Sequence, residues 1–175
     1  MIIRPARAED AEAVCAIANW VIRDTLATFN SLEKTVAQVR DQIAAGRGSG
    51  SYLVAEQDGE ILGHAHFFPF RPGPGYRFTA EHTIHLLPAA QGKGAGRRLM
   101  QALEAAAAAA RVHVLIASVS SANPGAIAFH AALGYVETAR MPELGCKHGR
   151  WLDTVFMQKI LTPGIPAPDS AGKPR

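Results

Sequence analysis

The sequence predicts an α/β fold built on a mixed sheet. Strands come first as hairpins and then alternate with helices, helical stretches show apolar residues at helical spacing, and one strand is apolar almost throughout. In order, the elements read β-α-α-β-β-β-α-β-α-β-β. At 175 residues the chain suits one domain with a proper core.

Residues 2–5 read as a short strand. From about Glu9, the apolar residues Val14, Ile17, Ala18, Val21 and Ile22 recur at helical spacing, and Glu9 and Asp10 suit the positive end of that helix. A second helix is predicted over 35–45, stopping at Gly46 before the loop "GRGSG". "SYLVAEQDGEILGHAHFF" reads as two strands about an Asp58-Gly59 turn. After the loop "PFRPGPGYR", a strand is predicted over 78–87, followed by a glycine-rich segment and a helix over 95–110. "VHVLIASVS" has the pattern of a strand buried on both faces. "NPGAIAFHAAL" reads as a helix with Asn123 at its N-cap, Pro124 at its first position and Gly134 closing it. Two last strands flank a turn at Lys147-His148-Gly149-Arg150, with Trp151 and Phe156 expected in the core or a pocket wall. The domain is therefore set at 1–161. The tail 162–175, with four prolines and no aromatic residue, is expected to be disordered.

Composition narrows the classes. The chain is 48% hydrophobic and 19% charged, and its net charge is +3. Its basic residues are scattered except near 93–98, so a nucleic-acid partner is not expected. No apolar run approaches the roughly 18 residues of a membrane span, and "MIIRPARAED" does not read as a signal peptide, so no membrane partner is expected either. Cys15 and Cys146 form no metal or redox spacing, which suits a reduced, cytoplasmic setting. His64, His66, His82 and His85 invite a zinc reading, but no acidic or cysteine ligand completes a set and no metal is expected.

The stretch "LPAAQGKGAGRRLM" places Gly92, Gly94 and Gly96 at the mouth of a helix, with Lys93 and Arg97 among them. Glycines there free the backbone to present N–H groups to an anion at the positive end of the helix dipole. A Walker loop is absent, and a dinucleotide fingerprint fails because its third glycine comes one position early. The pattern present is Gln91-x-x-Gly94-x-Gly96. It resembles the pyrophosphate-binding loop of the GNAT acetyltransferase superfamily, which implies coenzyme A as the anion.

"NPGAIAFHAALGY" is similar to a second GNAT motif, Asn-x-x-Ala-x-x-x-Tyr-x-x-x-Gly-Phe/Tyr, with His130 in the tyrosine's place. "FRPGPGYRFTAEHTIH" and "MPELGCKHGRWLDTVFMQ" resemble blocks of the phosphinothricin and methionine sulfoximine/sulfone N-acetyltransferases. Where that family reads Val-Tyr-Val before the loop, this chain has Ile84-His85-Leu86, and "LPAA" replaces a more polar lead-in.

The resemblance implies a GNAT fold, with a sheet of about six to seven strands, about four helices, and strands splayed at the acetyl-CoA site. It implies acetyl-CoA held by Ile84, His85 and Leu86, by Gln91, Gly92, Lys93, Gly94, Ala95, Gly96 and Arg97, and by Asn123. Glu81 is the implied base. A carboxylate is a weak base toward an ammonium, so it is expected to act through water or with its basicity raised by burial. His130 is the implied acid for the leaving thiolate, with a packed helix histidine as the competing reading. The loop bearing Arg71, Gly75, Tyr76 and Arg77 is implied to cover the acceptor, with Phe29 as an apolar wall. Arginine is well shaped for the carboxylate of an amino acid.

Strict alternation puts Glu81, Thr83, His85 and Leu87 on one strand face and His82, Ile84 and Leu86 on the other. A bulge, which many family members carry on this strand, would break that assignment. The expected function is acetyl transfer to the α-amino group of a small amino-acid-like compound, by a homodimer. A protein or peptide acetyltransferase and a non-catalytic acetyl-CoA-binding module are the alternatives.

Overall fold

The computed structural model describes residues 1–48 and 50–163. Its strands are β1 (Ile2–Pro5), β2 (Tyr52–Gln57), β3 (Glu60–Pro69), β4 (Thr79–Leu86), β5 (Val114–Ser120), β6 (Val136–Lys147) and β7 (Arg150–Ile160). The helices are α1 (Ala11–Asp24), α2 (Val36–Gly46), α3 (Ala95–Ala109) and α4 (Pro124–Ala131). One sheet runs in the order β1-β2-β3-β4-β5-β7-β6. Among the described residues only β4 and β5 pair in parallel, joined through α3; the other pairs are antiparallel. The mixed sheet expected from the element order is thus present.

Local chemistry accounts for the boundaries. Thr35 caps α2 by accepting from the N–H of Gln38, whose side chain accepts from the N–H of Thr35 in return. Asn123 caps α4 by accepting from the N–H of Ala126 at 3.1 Å, with Pro124 in the first turn. The β2–β3 turn holds Asp58 and Gly59 at φ 54° and 84°, and the β6–β7 turn holds His148 and Gly149 at 49° and 70°. Positive φ at both positions matches the twist of a hairpin. Glu9 and Asp10 depart from expectation. They lie in a 3₁₀ turn ahead of α1, and Asp10 binds the Arg4 guanidinium and the N–H of Arg7.

Alternation along β2 divides the core. Tyr52 and Val54 face α1 and α2, packing with Val14, Cys15, Val39 and Ile43. Leu53 and Ala55 face the opposite way, onto Leu99, Met100 and Leu103 of α3. Ile127 and Phe129 of α4 pack on that same second core. The burial on both faces expected of β5 holds only in part: Leu115, Ala117 and Val119 are buried on the α3 side, while Val114 and Ile116 on the other face are half-buried and Ser118 is exposed. No helix among the described residues is long and apolar enough to cross a membrane. The disorder expected for 162–175 concerns, from residue 164 on, a segment outside the described residues.

Candidate active site at a fork in the sheet

The parallel pairing of β4 and β5 is short. Thr79, Ala80 and Glu81 pair with Val114, Leu115 and Ile116, and the two strands then part. Beyond that point β4 stays paired to β3 as far as Leu86, and β5 stays paired to β7 as far as Ser120. The edges of β4 and β5 that face each other across the opening therefore offer main-chain donors and acceptors inside a sheet. An extended amide chain can pair with such an edge. No register shift occurs between β3 and β4; shifts lie between β2 and β3, at Ala55/Glu56, and between β6 and β7, at Glu137/Ala139 and Met141/Gly145. No bulge interrupts the β3–β4 pairing, and strict alternation holds.

The glycine-rich loop lies at the open end of the fork, between the end of β4 and the start of α3. Gly92 and Gly94 have φ of 72° and 78°, and Gly94 is the N-cap of α3. Such angles strain residues with a Cβ, and they turn the chain so that α3 begins facing the loop. The first helical bond runs from the N–H of Arg98 to the carbonyl of Gly94. The preceding N–H groups of Ala95, Gly96 and Arg97 thus have no partner within the helix. Gln91, Lys93 and Arg97 are exposed beside them. Gly96 has a separate reason to be glycine: a Cβ there would lie 3.0 Å from Leu86 and 3.2 Å from Phe129. Its missing side chain lets α3 sit against β4 and α4.

Glu81 is the last β4 residue before the strands part, and it is half-buried on the α1/α2 face. Phe68 lies directly across from it on β3, His66 across from Thr83, and His64 across from His85. The three histidines and Tyr52 form one aromatic group. Tyr52 stacks on His66 with ring centroids 4.5 Å apart, and His64 meets His85 edge-on at 5.1 Å. Burial holds all three imidazoles neutral, pushing His66 down to about 3 and His85 to about 4, with His64 also well below its ordinary value. Among the described residues, no three His, Cys, Asp or Glu side chains are grouped to hold a metal ion.

His82 is on the other face of the fork. It is 6% exposed and its Nε2 lies 3.0 Å from Nε2 of His130. His130 Nδ1 is 2.7 Å from the carbonyl of Ala126, which can only accept, so Nδ1 carries the proton of the neutral ring. His130 Nε2 then accepts from His82 Nε2–H. Burial lowers the basicity of both rings, that of His82 to about 3. The tyrosine position of the family motif is therefore held by a histidine whose two nitrogens are already engaged.

Tyr76 and the two arginines belong to the exposed loop between β3 and β4. The Arg77 guanidinium lies 4.5 Å from the ring centre of Phe78, and that of Arg71 lies 5.2 Å from Phe70. Gly75 is in a short 3₁₀ turn in the same loop, with open space around it. Ile84 and Leu86 point into the α3/α4 core, while His85 faces the other way. Phe29, in the segment joining α1 and α2, packs on Gly145 of β6. Trp151 departs from expectation: it is 66% exposed, because it sits on the outward face of the edge hairpin, opposite Cys146.

Two functional candidates escaped sequence reasoning. The partnership of His82 with His130 spans 48 positions and leaves no periodic trace. Lys147 is buried and reaches the main chain of residues 25 and 28; the sequence places it in a hairpin turn that the family resemblance sets near the substrate mouth or the dimer contact, but gives the side chain no partner.

Known proteins agree with this geometry. A model of the acetyltransferase (GNAT) family matches residues 15–135. The chain is 40% identical to an L-amino acid N-acyltransferase of Escherichia coli, covering 90% of this chain and 92% of that one. It is 36% identical to an L-methionine sulfoximine/L-methionine sulfone acetyltransferase of Pseudomonas aeruginosa, over 95% and 98% of the two chains. A GNAT phosphinothricin acetyltransferase of Sinorhizobium meliloti, solved in complex with acetyl-CoA, superposes with a TM-score of 0.90 at 34% identity, covering 99% of this chain and 95% of that one. The chain belongs to the GNAT acetyltransferase family and is an N-acetyltransferase.

Proposed function

We propose that this enzyme transfers acetyl from acetyl-CoA directly to the α-amino group of a small amino-acid-like acceptor of the phosphinothricin, methionine sulfoximine or methionine sulfone type. The observation that carries the reading is the fork, with Glu81 beside its apex on one face and the His82–His130 pair on the other. The loop at its open end fits a pyrophosphate: two positive-φ glycines, unpaired helix N–H groups, and Lys93 and Arg97 alongside. Three relatives named for an L-amino acid, for methionine sulfoximine/sulfone and for phosphinothricin support the acceptor class.

In this reading Gln91, Gly92, Lys93, Gly94, Ala95, Gly96 and Arg97 hold the phosphates. Main-chain groups of Ile84, His85 and Leu86 pair with the pantetheine arm, and Asn123 fixes α4 beside it. The cofactor supplies an activated acetyl thioester. Glu81 takes the ammonium proton, directly or through water, so that the amine lone pair is free to attack. Arg77 and Arg71 hold the acceptor's carboxylate, with Phe29 and Tyr76 beside its side chain. His130 stands on the far face of the fork as the group nearest to a proton donor for the departing sulfur. Since its Nε2 accepts from His82, any proton it gives is one the pair has first taken up.

The exposed apolar side chains of the edge hairpin β6–β7, Val136, Met141, Leu144 and Trp151, support a homodimer through that hairpin. Acetyl-CoA consumption tests the whole reading. Phosphinothricin, methionine sulfone and methionine sulfoximine are expected to be turned over well above short peptides. Preference for peptides would install the protein-acetyltransferase reading, and binding without turnover would install the non-catalytic one.

A further inference from the structure

Strand β6 is exposed over nearly its whole length, and the one side chain it buries is charged. Lys147 is 3% exposed, and its Nζ donates to the carbonyls of Thr25 at 2.8 Å and Thr28 at 2.9 Å. Among the described residues no carboxylate forms an ion pair with it. Burial lowers its basicity. An ammonium buried without a counter-charge is a poor stabiliser of a fold, and an apolar residue of similar volume would serve better. What the ammonium does provide is direction, because two carbonyls must point at it.

Those carbonyls belong to a segment tied near both its ends. Thr25 is the C-cap of α1, where the negative end of the helix dipole favours a cation. Its hydroxyl donates to the carbonyl of Val21 at 2.7 Å and accepts from the N–H of Ala27 at 3.1 Å. Thr28 Oγ1 accepts from the N–H of Asn30 at 3.3 Å. At the far end, the Asn19 side chain bonds both the N–H and the carbonyl of Lys34, at 2.8 and 2.9 Å. Between these ties, the ring of Phe29 rests on Gly145, where any Cβ would collide with it.

We propose that Lys147 and Gly145 are positioning residues: the β6–β7 hairpin grips residues 25–34 and sets Phe29 as a wall of the acceptor site. The inference rests on the reading above, in which Phe29 lines that site. It assigns the hairpin's lysine and glycine to acceptor affinity rather than to the chemical step or to acetyl-CoA.

The test compares Lys147→Met, Lys147→Arg, Gly145→Ala, Phe29→Ala and the Lys147→Met/Phe29→Ala double variant, with whichever amine the wild type acetylates best. Lys147→Met is expected to raise the acceptor KM by about tenfold or more, as a small misplacement of a binding group does. The acetyl-CoA KM should stay within about twofold, and Lys147→Arg should recover part of the loss. Losses in Lys147→Met and Phe29→Ala should not multiply in the double variant, because one acts through the other. Backbone amides of residues 25–34 should exchange with deuterium faster in Lys147→Met, a readout that needs no substrate. It separates the grip from the acceptor reading: rapid exchange with no amine acetylated would sink that reading alone. An unchanged acceptor KM, parallel rises in both KM values, multiplying losses or unaltered exchange would each overturn the proposal. Should Lys147→Met fail to fold, Gly145→Ala carries the same expectations.

Discussion

Glu81 and His82 are neighbours in sequence and stand on opposite faces of β4 where the sheet opens. Their roles separate accordingly. Glu81→Gln keeps shape and removes basicity, so kcat is expected to fall by about 10²–10⁴. The deficit should shrink as pH rises and free amine becomes abundant; a pH-independent deficit would make Glu81 a positioning group. His130→Phe is expected to cost less than about tenfold in kcat, since both imidazole nitrogens are engaged and burial disfavours protonation. A loss of about a hundredfold would make the pair the acid. The face of Glu81 was legible in the sequence because alternation is a local rule. The His82–His130 bond was not, because it depends on how α4 docks on β4.

Elements were read well wherever their ends carry their own chemistry. Thr35, Asn123 and Pro124 mark helix starts by capping, and Asp58-Gly59 marks a hairpin by positive φ. Whether β4 carried a bulge stayed open in the sequence because a register shift is decided by two strands together, and Trp151 was misjudged because an outer hairpin has no second layer over that face. The start of α3 joins both cases. Spacing picked out Gly94 and Gly96 alike, yet the structure gives them different reasons. Gly94→Val should raise the acetyl-CoA KM in a folded protein, with about 1 kcal/mol or more of backbone strain. Gly96→Val should lower the melting temperature as well, since its side chain must displace Leu86 and Phe129. Calorimetric binding of acetyl-CoA together with thermal melts distinguishes the two. Unchanged affinity in a folded Gly94→Val protein would remove the loop from the cofactor site.

Across the described residues, five desolvated imidazoles couple folding to pH: His64, His82 and His130, which are buried, and His66 and His85, which are half-buried. In each, desolvation sets the folded value below the unfolded value of 6.5, and His66, His82 and His85 fall to about 3, 3 and 4. Below 6.5 the unfolded chain binds protons that the folded chain refuses, so stability falls with pH from there towards 4. Each such group costs about 1.4 kcal/mol per pH unit within that window. The urea midpoint should be level above pH 7 and drop steeply below 6; a level midpoint down to pH 5 would mean that these rings gain proton-accepting partners. The central claim, that the fork presents an amino acid's own amine to acetyl-CoA, is most directly tested by comparing methionine sulfone with its carboxamide in the wild type and in Arg77→Ala. The account predicts that the amide raises the wild-type acceptor KM by about tenfold or more, the worth of a charge-assisted hydrogen bond. Arg77→Ala should show the same loss with the acid and little further loss with the amide, at an unchanged acetyl-CoA KM. An amide acetylated as well as the acid would contradict it.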